Sequence, residues 1–188
     1  MNTFNFEKVI LDLCSGTGSW SKPYLDAGYN VIQVDPVSTG LDVRLYQPPP
    51  NVYGILAAPP CTVFCKAGSH FKFHRGVSEV IEARSVVDAC IRIAFVSKPK
   101  FFALENPSGW LSDILGPPTL NFQPCDFGDP WTKQTYIWGY FNHLALNPVE
   151  PTEGDRTNSH YGGRSAKTKT FRSKTPPGFA LQFFLANP

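Results

Sequence analysis

With 188 residues and a formal net charge of +2, the chain can form one domain with a substantial core, and its charge alone does not indicate a nucleic-acid partner. Hydrophobic residues make up 42% and charged residues 17%, which excludes an intrinsically disordered chain. No stretch approaches the roughly 18 consecutive apolar residues of a membrane span, no signal peptide is predicted, and five cysteines without framework spacing favour a reducing compartment. We therefore expect a cytoplasmic protein that does not associate with membranes.

The sequence predicts strands and helices that alternate over about the first 140 residues. In chain order the predicted elements are a strand over 8–13, a helix over about 20–27, strands over 29–34 and 52–58, a helix over about 78–97 with Ser78 as its N-cap, strands over 101–104 and 135–138, and a helix over about 177–186. This alternation predicts an α/β protein with a doubly wound, mostly parallel sheet.

A glycine turn, Ser15-Gly16-Thr17-Gly18, follows the first predicted strand. With Asp35 at the end of the second strand, it forms half of a nucleotide-binding fingerprint, in which the acid accepts ribose hydroxyls. The third glycine of the dinucleotide pattern is absent, which favours a nucleoside-type cofactor over NAD or FAD. A purely structural turn with a satisfied aspartate is the alternative. Asp42 is a candidate partner for an adenine amine or, equally, for a turn cap.

Two later strands each lead into a reactive side chain. The strand over 52–58 runs into two prolines and Cys61, and the strand over 101–104 runs into Glu105, where we expect a loop to open. The carboxyl ends of neighbouring parallel strands meet at one edge of a sheet. The sequence therefore predicts a nucleophile and a proton donor that act on the same ring.

Cys61, Cys65, His70 and His74 also form a run of metal-ligating residue types. The central spacing of four residues is far shorter than the spacing in a zinc finger. We therefore predict no metal site, and expect the two histidines to be solvated loop residues.

Four segments resemble, in the same order, motifs of the DNA cytosine-5 methyltransferases. Leu13–Gly18 is similar to the family's Phe-x-Gly-x-Gly, and Pro59–Cys65 to its Pro-Cys-Gln-x-Phe-Ser. Leu104–Pro107 resembles Glu-Asn-Val, and Asp126–Thr135 resembles Asp-Tyr-Gly-x-Pro-Gln-x-Arg-x-Arg. The combination of four ordered motifs is far more specific than any one of them.

This resemblance implies a Rossmann-like, S-adenosylmethionine-dependent methyltransferase that methylates C5 of cytosine in DNA. Cys61 would add to C6 of the base as the covalent nucleophile, and Glu105 would contact N3. Lys133 would stabilise O2 of the ring or a nearby phosphate. The cofactor contacts expected on the same basis are Cys14, Ser15, Gly16, Thr17, Gly18, Asp35, Asp42 and Pro59.

The chain departs from the family pattern in several places. Thr62 replaces the usual glutamine, Cys65 the usual serine and Thr135 the second arginine. The family's large target-recognition domain also has no counterpart of similar length, so the chain resembles a compact, phage-like member.

We predict a catalytic domain over 1–147, a basic loop over 148–175 that is a reduced recognition region, and a C-terminal helix over 176–188 that packs back on the catalytic domain. DNA contacts are expected from four basic residues of the loop: Arg164, Lys167, Lys169 and Arg172.

Two other functions stay open. The same chemistry would serve C5 methylation, or a related one-carbon modification, of a free deoxycytidine nucleotide. A catalytically silent module that binds nucleic acid or nucleotide would keep the fold without the reaction. The expected partner is thus DNA or a free cytosine nucleotide, and the expected oligomeric state is a monomer or a small homo-oligomer.

Overall fold

A computed structural model describes residues 5–65, 76–155 and 173–188. The elements in chain order are β1 (Val9–Leu13), α1 (Lys22–Asp26), β2 (Asn30–Val34), β3 (Val52–Ala57), α2 (Val77–Ser97), β4 (Phe101–Pro107), α3 (Ser112–Leu115), β5 (Leu120–Phe122), a 3₁₀ helix (Pro124–Phe127), β6 (Thr135–Tyr140) and α4 (Pro177–Ala186). Within these ranges, no helix has the length and apolar composition needed to cross a membrane.

The strands form one sheet in the order β2-β1-β3-β4-β6-β5. Neighbouring strands from β2 to β4 are parallel, whereas β6 is antiparallel to both β4 and β5. Hence β6 is the one strand of this sheet that runs against the other five. The predicted α/β class and mostly parallel sheet are confirmed. The prediction did not include β5, which has only three residues.

Apolar side chains cover both faces of the sheet. On one face, α2 packs against β1, β3 and β4 through a buried cluster that includes Leu11, Ile55, Val87, Cys90, Ile93 and Leu104. On the other face, α1 and α4 pack with an aromatic cluster that includes Trp20, Tyr24, Phe101, Phe122, Phe179 and Phe183. Phe179 of α4 stacks on Phe122 with ring centroids 4.3 Å apart. The sheet is therefore sandwiched between two cores.

The predicted N-cap of α2 and the predicted end of β4 are wrong. Helix α2 begins at Val77 with Gly76 as its N-cap, and no side chain caps it, so Ser78 lies inside the helix. Strand β4 continues beyond Leu104 to Pro107, because β6 pairs with it as far as the contact between Pro107 and Thr135. Glu105 therefore lies within a strand, where its backbone is held by pairing, and not in an opening loop.

Candidate active site

Three segments with candidate functional residues meet at one edge of the sheet. The glycine turn follows β1, and the loop with Cys61 follows β3. Parallel pairing between β3 and β4 ends at Ala57 and Leu104, and Glu105 comes next along β4. Because β1, β3 and β4 are parallel neighbours, their carboxyl ends are adjacent, which is where open α/β sheets bind ligands.

The loop with Cys61 is held by backbone hydrogen bonds. The carbonyl of Cys61 accepts bonds from the amides of Phe64 and Cys65, both at 2.9 Å, and the Phe64 carbonyl accepts one from the Trp110 amide at 2.9 Å. The backbone at Gly109 lies so close that an added Cβ would come within 1.9 Å of the Phe64 carbonyl oxygen. Only glycine fits there, so the loops after β3 and β4 are packed directly on each other.

Asn106 connects the two motifs that carry the reactive side chains. Its side chain is fully buried, and its Nδ2 donates to the carbonyl oxygen of Pro59 at 2.9 Å. Its Oδ1 is buried without a hydrogen-bond partner. This bond ties the start of the Cys61 loop to β4, at the residue next to Glu105. Asn106 was not among the predicted site residues, although its position beside Glu105 in the motif was a signal.

Glu105 is paired with Lys133 at the edge of the core. Lys133 Nζ lies 3.8 Å from Glu105 Oε1, and the two side chains are only 17% and 15% exposed. Burial raises the pKa of Glu105 above its usual value, although the Lys133 cation acts in the opposite direction. A carboxyl group in this position can be protonated and can donate a proton or hydrogen bond to a ligand.

The Cys61 thiol has a raised pKa. A hydrogen bond with the Cys65 side chain is the largest cause, burial is the next, and the nearby charge of Glu105 adds to both, while Lys133 opposes them. The pKa of Cys61 therefore lies well above its usual value, and the residue rests as a thiol at neutral pH. The influence of Glu105 and Lys133 on Cys61 is consistent with one shared site.

Gln123 positions the segment that carries Lys133. Its Oε1 accepts a bond from the Lys133 amide at 2.7 Å, and its Nε2 donates to Gln134 Oε1 at 2.8 Å. The Gln123 amide in turn donates to Asp126 Oδ2 at 2.7 Å. Gln123 was not among the predicted site residues, because it precedes the recognised motif and a glutamine there forms no distinctive pattern.

The glycine turn has the backbone shape that its sequence predicts. Gly16 and Gly18 have φ angles of +52° and +67°. The Gly16 amide donates to Asp35 Oδ2 at 3.1 Å, while Oδ1 accepts the amides of Val37 and Ser38. Burial raises the pKa of Asp35, but the hydrogen bonds from these three amides outweigh it and hold the pKa below its usual value. The turn and the acid after β2 thus form one unit with a charged carboxylate.

The residues of this unit fit a nucleoside-containing cofactor. Apart from Gly16 itself and its two chain neighbours, no atom lies within 4 Å of the position where a Cβ on Gly16 would be, so a ligand can approach the backbone there. The Ser15 hydroxyl is buried without a hydrogen-bond partner, as expected of a group that a ligand would satisfy. Thr17 Oγ1 donates to Ser19 Oγ at 3.1 Å on the exposed side of the turn.

The C-terminal segment contacts this edge as well. Ser19 Oγ accepts a bond from the Thr175 amide at 3.0 Å, and Asp129 Oδ2 accepts one from the Gly178 amide at 2.9 Å. Asp129 belongs to the fourth motif and is almost fully buried. These two bonds hold the start of α4 against both the glycine turn and the segment before Lys133.

The remaining candidate residues have a structural contact or lie outside the described residues. Asp42 accepts hydrogen bonds from the Arg44 guanidinium and from the Arg44 amide at 2.9 Å, the geometry of the turn-cap alternative, and its cofactor role stays a prediction. The four basic residues expected to contact DNA (Arg164, Lys167, Lys169 and Arg172) lie outside the described residues, as do His70 and His74. In the described ranges, no three metal-ligating side chains cluster together.

The fold of the chain is similar to that of a solved structure. No protein-family description and no curated protein matches the chain. Among solved structures, the fold matches a prophage-encoded E. coli protein that is provisionally described as a DNA modification methyltransferase. The TM-score is 0.52 and the identity 18%, over 76% of this chain and 53% of the other. The likeness shows a shared fold, and the chain spans about half the length of that protein.

Proposed function

We propose that this protein is an S-adenosylmethionine-dependent methyltransferase that modifies C5 of cytosine. The observation that carries the proposal is the placement of Cys61 in the loop after β3 and of Glu105 within the neighbouring strand β4, joined through the bond from Asn106 to Pro59. The glycine turn with Asp35 lies beside them, after the next strand of the sheet. The fold shared with a protein described as a DNA modification methyltransferase supports the reaction class.

The chemistry needs both reactive side chains, because C5 of cytosine is a weak nucleophile. The Cys61 thiol loses its proton to water, and its sulfur forms a bond to C6. The π pair of the C5–C6 double bond then moves into the C4–C5 bond, the π pair of C4–N3 moves to N3, and N3 takes a proton from Glu105. The ring becomes an enamine, in which C5 is nucleophilic. The raised pKa of Glu105 favours the protonated form that this step requires.

The residues after β1 and β2 would hold the cofactor. Bound there, S-adenosylmethionine would supply an electrophilic methyl group to C5 and would leave as S-adenosylhomocysteine. Asp35 would accept hydrogen bonds from the ribose of the cofactor, and the open space at Gly16 would let the cofactor approach the backbone. Once C5 carries the methyl group, C5 releases its proton to water, the S–C6 bond breaks to return the Cys61 thiolate, and N3 returns its proton to Glu105.

We propose DNA as the substrate, on the basis of the shared fold and of the basic residues in the 148–175 segment. Because phosphate contacts position a strand without reading its sequence, we expect little sequence preference and a steep loss of activity with salt. A free deoxycytidine nucleotide engages few phosphates, so its methylation would be nearly independent of salt.

The test is transfer of a labelled methyl group from S-adenosylmethionine to duplex DNA, single-stranded DNA, dCMP and dCTP. Cys61→Ala should abolish transfer and leave cofactor affinity within a few-fold of wild type. Cys125→Ala is the matched control, since Cys125 is also partly buried but follows β5. DNA with 5-fluorocytosine should trap an adduct on Cys61, seen as an added mass. Cofactor binding without transfer to any substrate would instead favour the silent binding module.

A further inference from the structure

The outward face of α2 carries an apolar stripe. The residues of this α2 stripe recur at alternating intervals of four and three: Val77, Ile81, Arg84, Asp88, Ile91 and Phe95. The four apolar members are exposed by 75%, 63%, 37% and 78% in chain order. The solvent face of a surface helix is normally polar, whereas this spacing is the a and d pattern of a coiled-coil seam.

The stripe does not contribute to the core of its own molecule. Helix α2 already buries its opposite side against the sheet through Val87, Cys90, Ile93 and Ala94. At 100° per residue, the stripe points away from that side. Among the described residues, the apolar surface of the stripe is therefore available to a partner.

The stripe is symmetric about Val86. Counted from this residue, Val77 and Phe95 are equally distant, and the same holds for Ile81 with Ile91 and for Arg84 with Asp88. If two copies of α2 pack antiparallel across a two-fold axis, each residue of the stripe therefore lies opposite its symmetric counterpart in the other copy, for example Val77 opposite Phe95. A two-fold interface must be self-complementary in this way.

The charges at the centre select the antiparallel arrangement. Arg84 and Asp88 form an ion pair within the helix at 2.9 Å, and both are about half exposed. In an antiparallel pair, each Arg84 faces the partner's Asp88, so the charges attract across the interface. In a parallel pair, each charged residue would face its own copy, and like charges repel.

We propose that a second copy of this chain binds the α2 stripe and forms an antiparallel two-fold dimer. A groove of about 350 Å³ beside Phe95 would receive the end of the partner's helix that carries the partner's Val77. The groove is lined by Ile91, Ala94, Lys98, Pro99, Phe102 and Tyr140. A 21-residue helix is about 31 Å long, so one helix pair buries an area at the low end of specific interfaces. The dimer should therefore dissociate in the micromolar range.

The proposal is independent of the proposed function, but it has a consequence for the sites. Helix α2 connects β3 to the parallel strand β4, so it begins at the edge with Cys61 and ends at the opposite edge. Antiparallel packing of α2 then places the two candidate sites at opposite ends of the dimer.

Charge reversal tests the register directly. Arg84→Glu makes the centre of the stripe wholly acidic, and Asp88→Arg makes it wholly basic. Sedimentation equilibrium of the full chain between about 1 and 200 µM should show a wild-type dimer and, for each variant alone, association weaker by at least about tenfold. An equimolar mixture of the two variants should recover a dimer, because the acidic stripe then faces the basic one.

Two further variants separate this surface from others. Ile81→Glu should also prevent association, whereas Leu25→Glu, a similarly exposed site on the opposite face of the sheet, should not. Circular dichroism checks that each variant is folded. A wild-type monomer at about 200 µM would overturn the proposal, as would a wild-type dimer that all variants retain. A mixture of the charge variants that stays monomeric would refute the proposed charge contacts across the interface, and single variants that associate as tightly as the wild type would refute the antiparallel register.

Discussion

Replacing Asn106 tests whether a buried amide positions the candidate nucleophile. Asn106→Ala removes the bond from Nδ2 to Pro59 and also removes Oδ1, which has no partner. Loss of a typical hydrogen bond costs about 0.5–1.5 kcal/mol, whereas an unsatisfied buried polar group costs about 1–3 kcal/mol. The two effects have opposite signs, so most of the net cost comes from the small cavity and should stay below about 2 kcal/mol.

The effect on the Cys61 loop should be larger than the effect on stability. Without the bond to Pro59, the loop is held by the bond from the Ala58 amide to the Leu13 carbonyl and by its backbone contacts around Phe64, but Pro59 is no longer tied to β4. A displacement of about 1 Å near the reacting atoms can cost about 100-fold in rate. We therefore expect a large fall in methyl transfer with nearly unchanged cofactor affinity.

Three measurements check this prediction: urea unfolding, methyl transfer, and alkylation of Cys61 followed by peptide mass spectrometry, which does not depend on enzymatic activity. Alkylation of Cys61 should become faster in Asn106→Ala. The control is Asn142→Ala, because Asn142 Nδ2 makes a 2.8 Å bond of the same type, at an exposed position away from Cys61, to the backbone carbonyl of Ala186 at the end of α4. If Asn106→Ala kept wild-type transfer and alkylation rates, or unfolded the protein outright, the positioning role would be refuted.

Three other substitutions have expected outcomes. Gly109→Ala should destabilise the protein by about 1–3 kcal/mol in urea unfolding, because the new Cβ would lie 1.9 Å from the Phe64 carbonyl oxygen. Gly76→Ala is the control and should be tolerated, because the nearest atom to its new Cβ is 3.5 Å away. Equal stabilities of the two variants would contradict the packing argument. Burial raises the pKa of Asp12 to about 7, so between about pH 4 and pH 7 the unfolded chain loses this proton while the folded protein keeps it. The free energy of unfolding of the wild type should therefore fall over this range, and Asp12→Asn should flatten the fall. Parallel curves of unfolding free energy against pH for the two proteins would disprove this prediction. Asp35→Ala should weaken S-adenosylmethionine binding at least about tenfold by calorimetry, and unchanged affinity would remove Asp35 from the cofactor site.

The sequence predicted the parallel strands of the core well, because each is a short apolar run that ends at a turn. It did not predict that β6 runs antiparallel, since the pattern of apolar residues carries no strand direction. It also ended β4 too early. An Asn-Pro pair after Glu105 is typical of a turn, but pairing with β6 extends the strand through Pro107.

The candidate site was predictable only in part. Cys61, Glu105 and the glycine turn belong to recognisable local patterns, whereas the supporting contacts join residues that are distant in sequence. Asn106 donates to a backbone carbonyl, a group that every residue has, so no residue type at position 59 signals the bond. Gln123 likewise acts through the backbone of Lys133. Such contacts depend on how the strands are arranged and are visible only in three dimensions.

The place of α4 in the aromatic cluster has a consequence for how the chain is made. All six strands are encoded before residue 141, yet Phe179 and Phe183 arrive on the last helix and complete the core around Trp20 and Tyr24. A nascent chain that has emerged only as far as β6 would leave one aromatic face of the sheet open to water. Folding on the ribosome should therefore pass through an aggregation-prone stage that depends on chaperones, and this stage should end when α4 emerges.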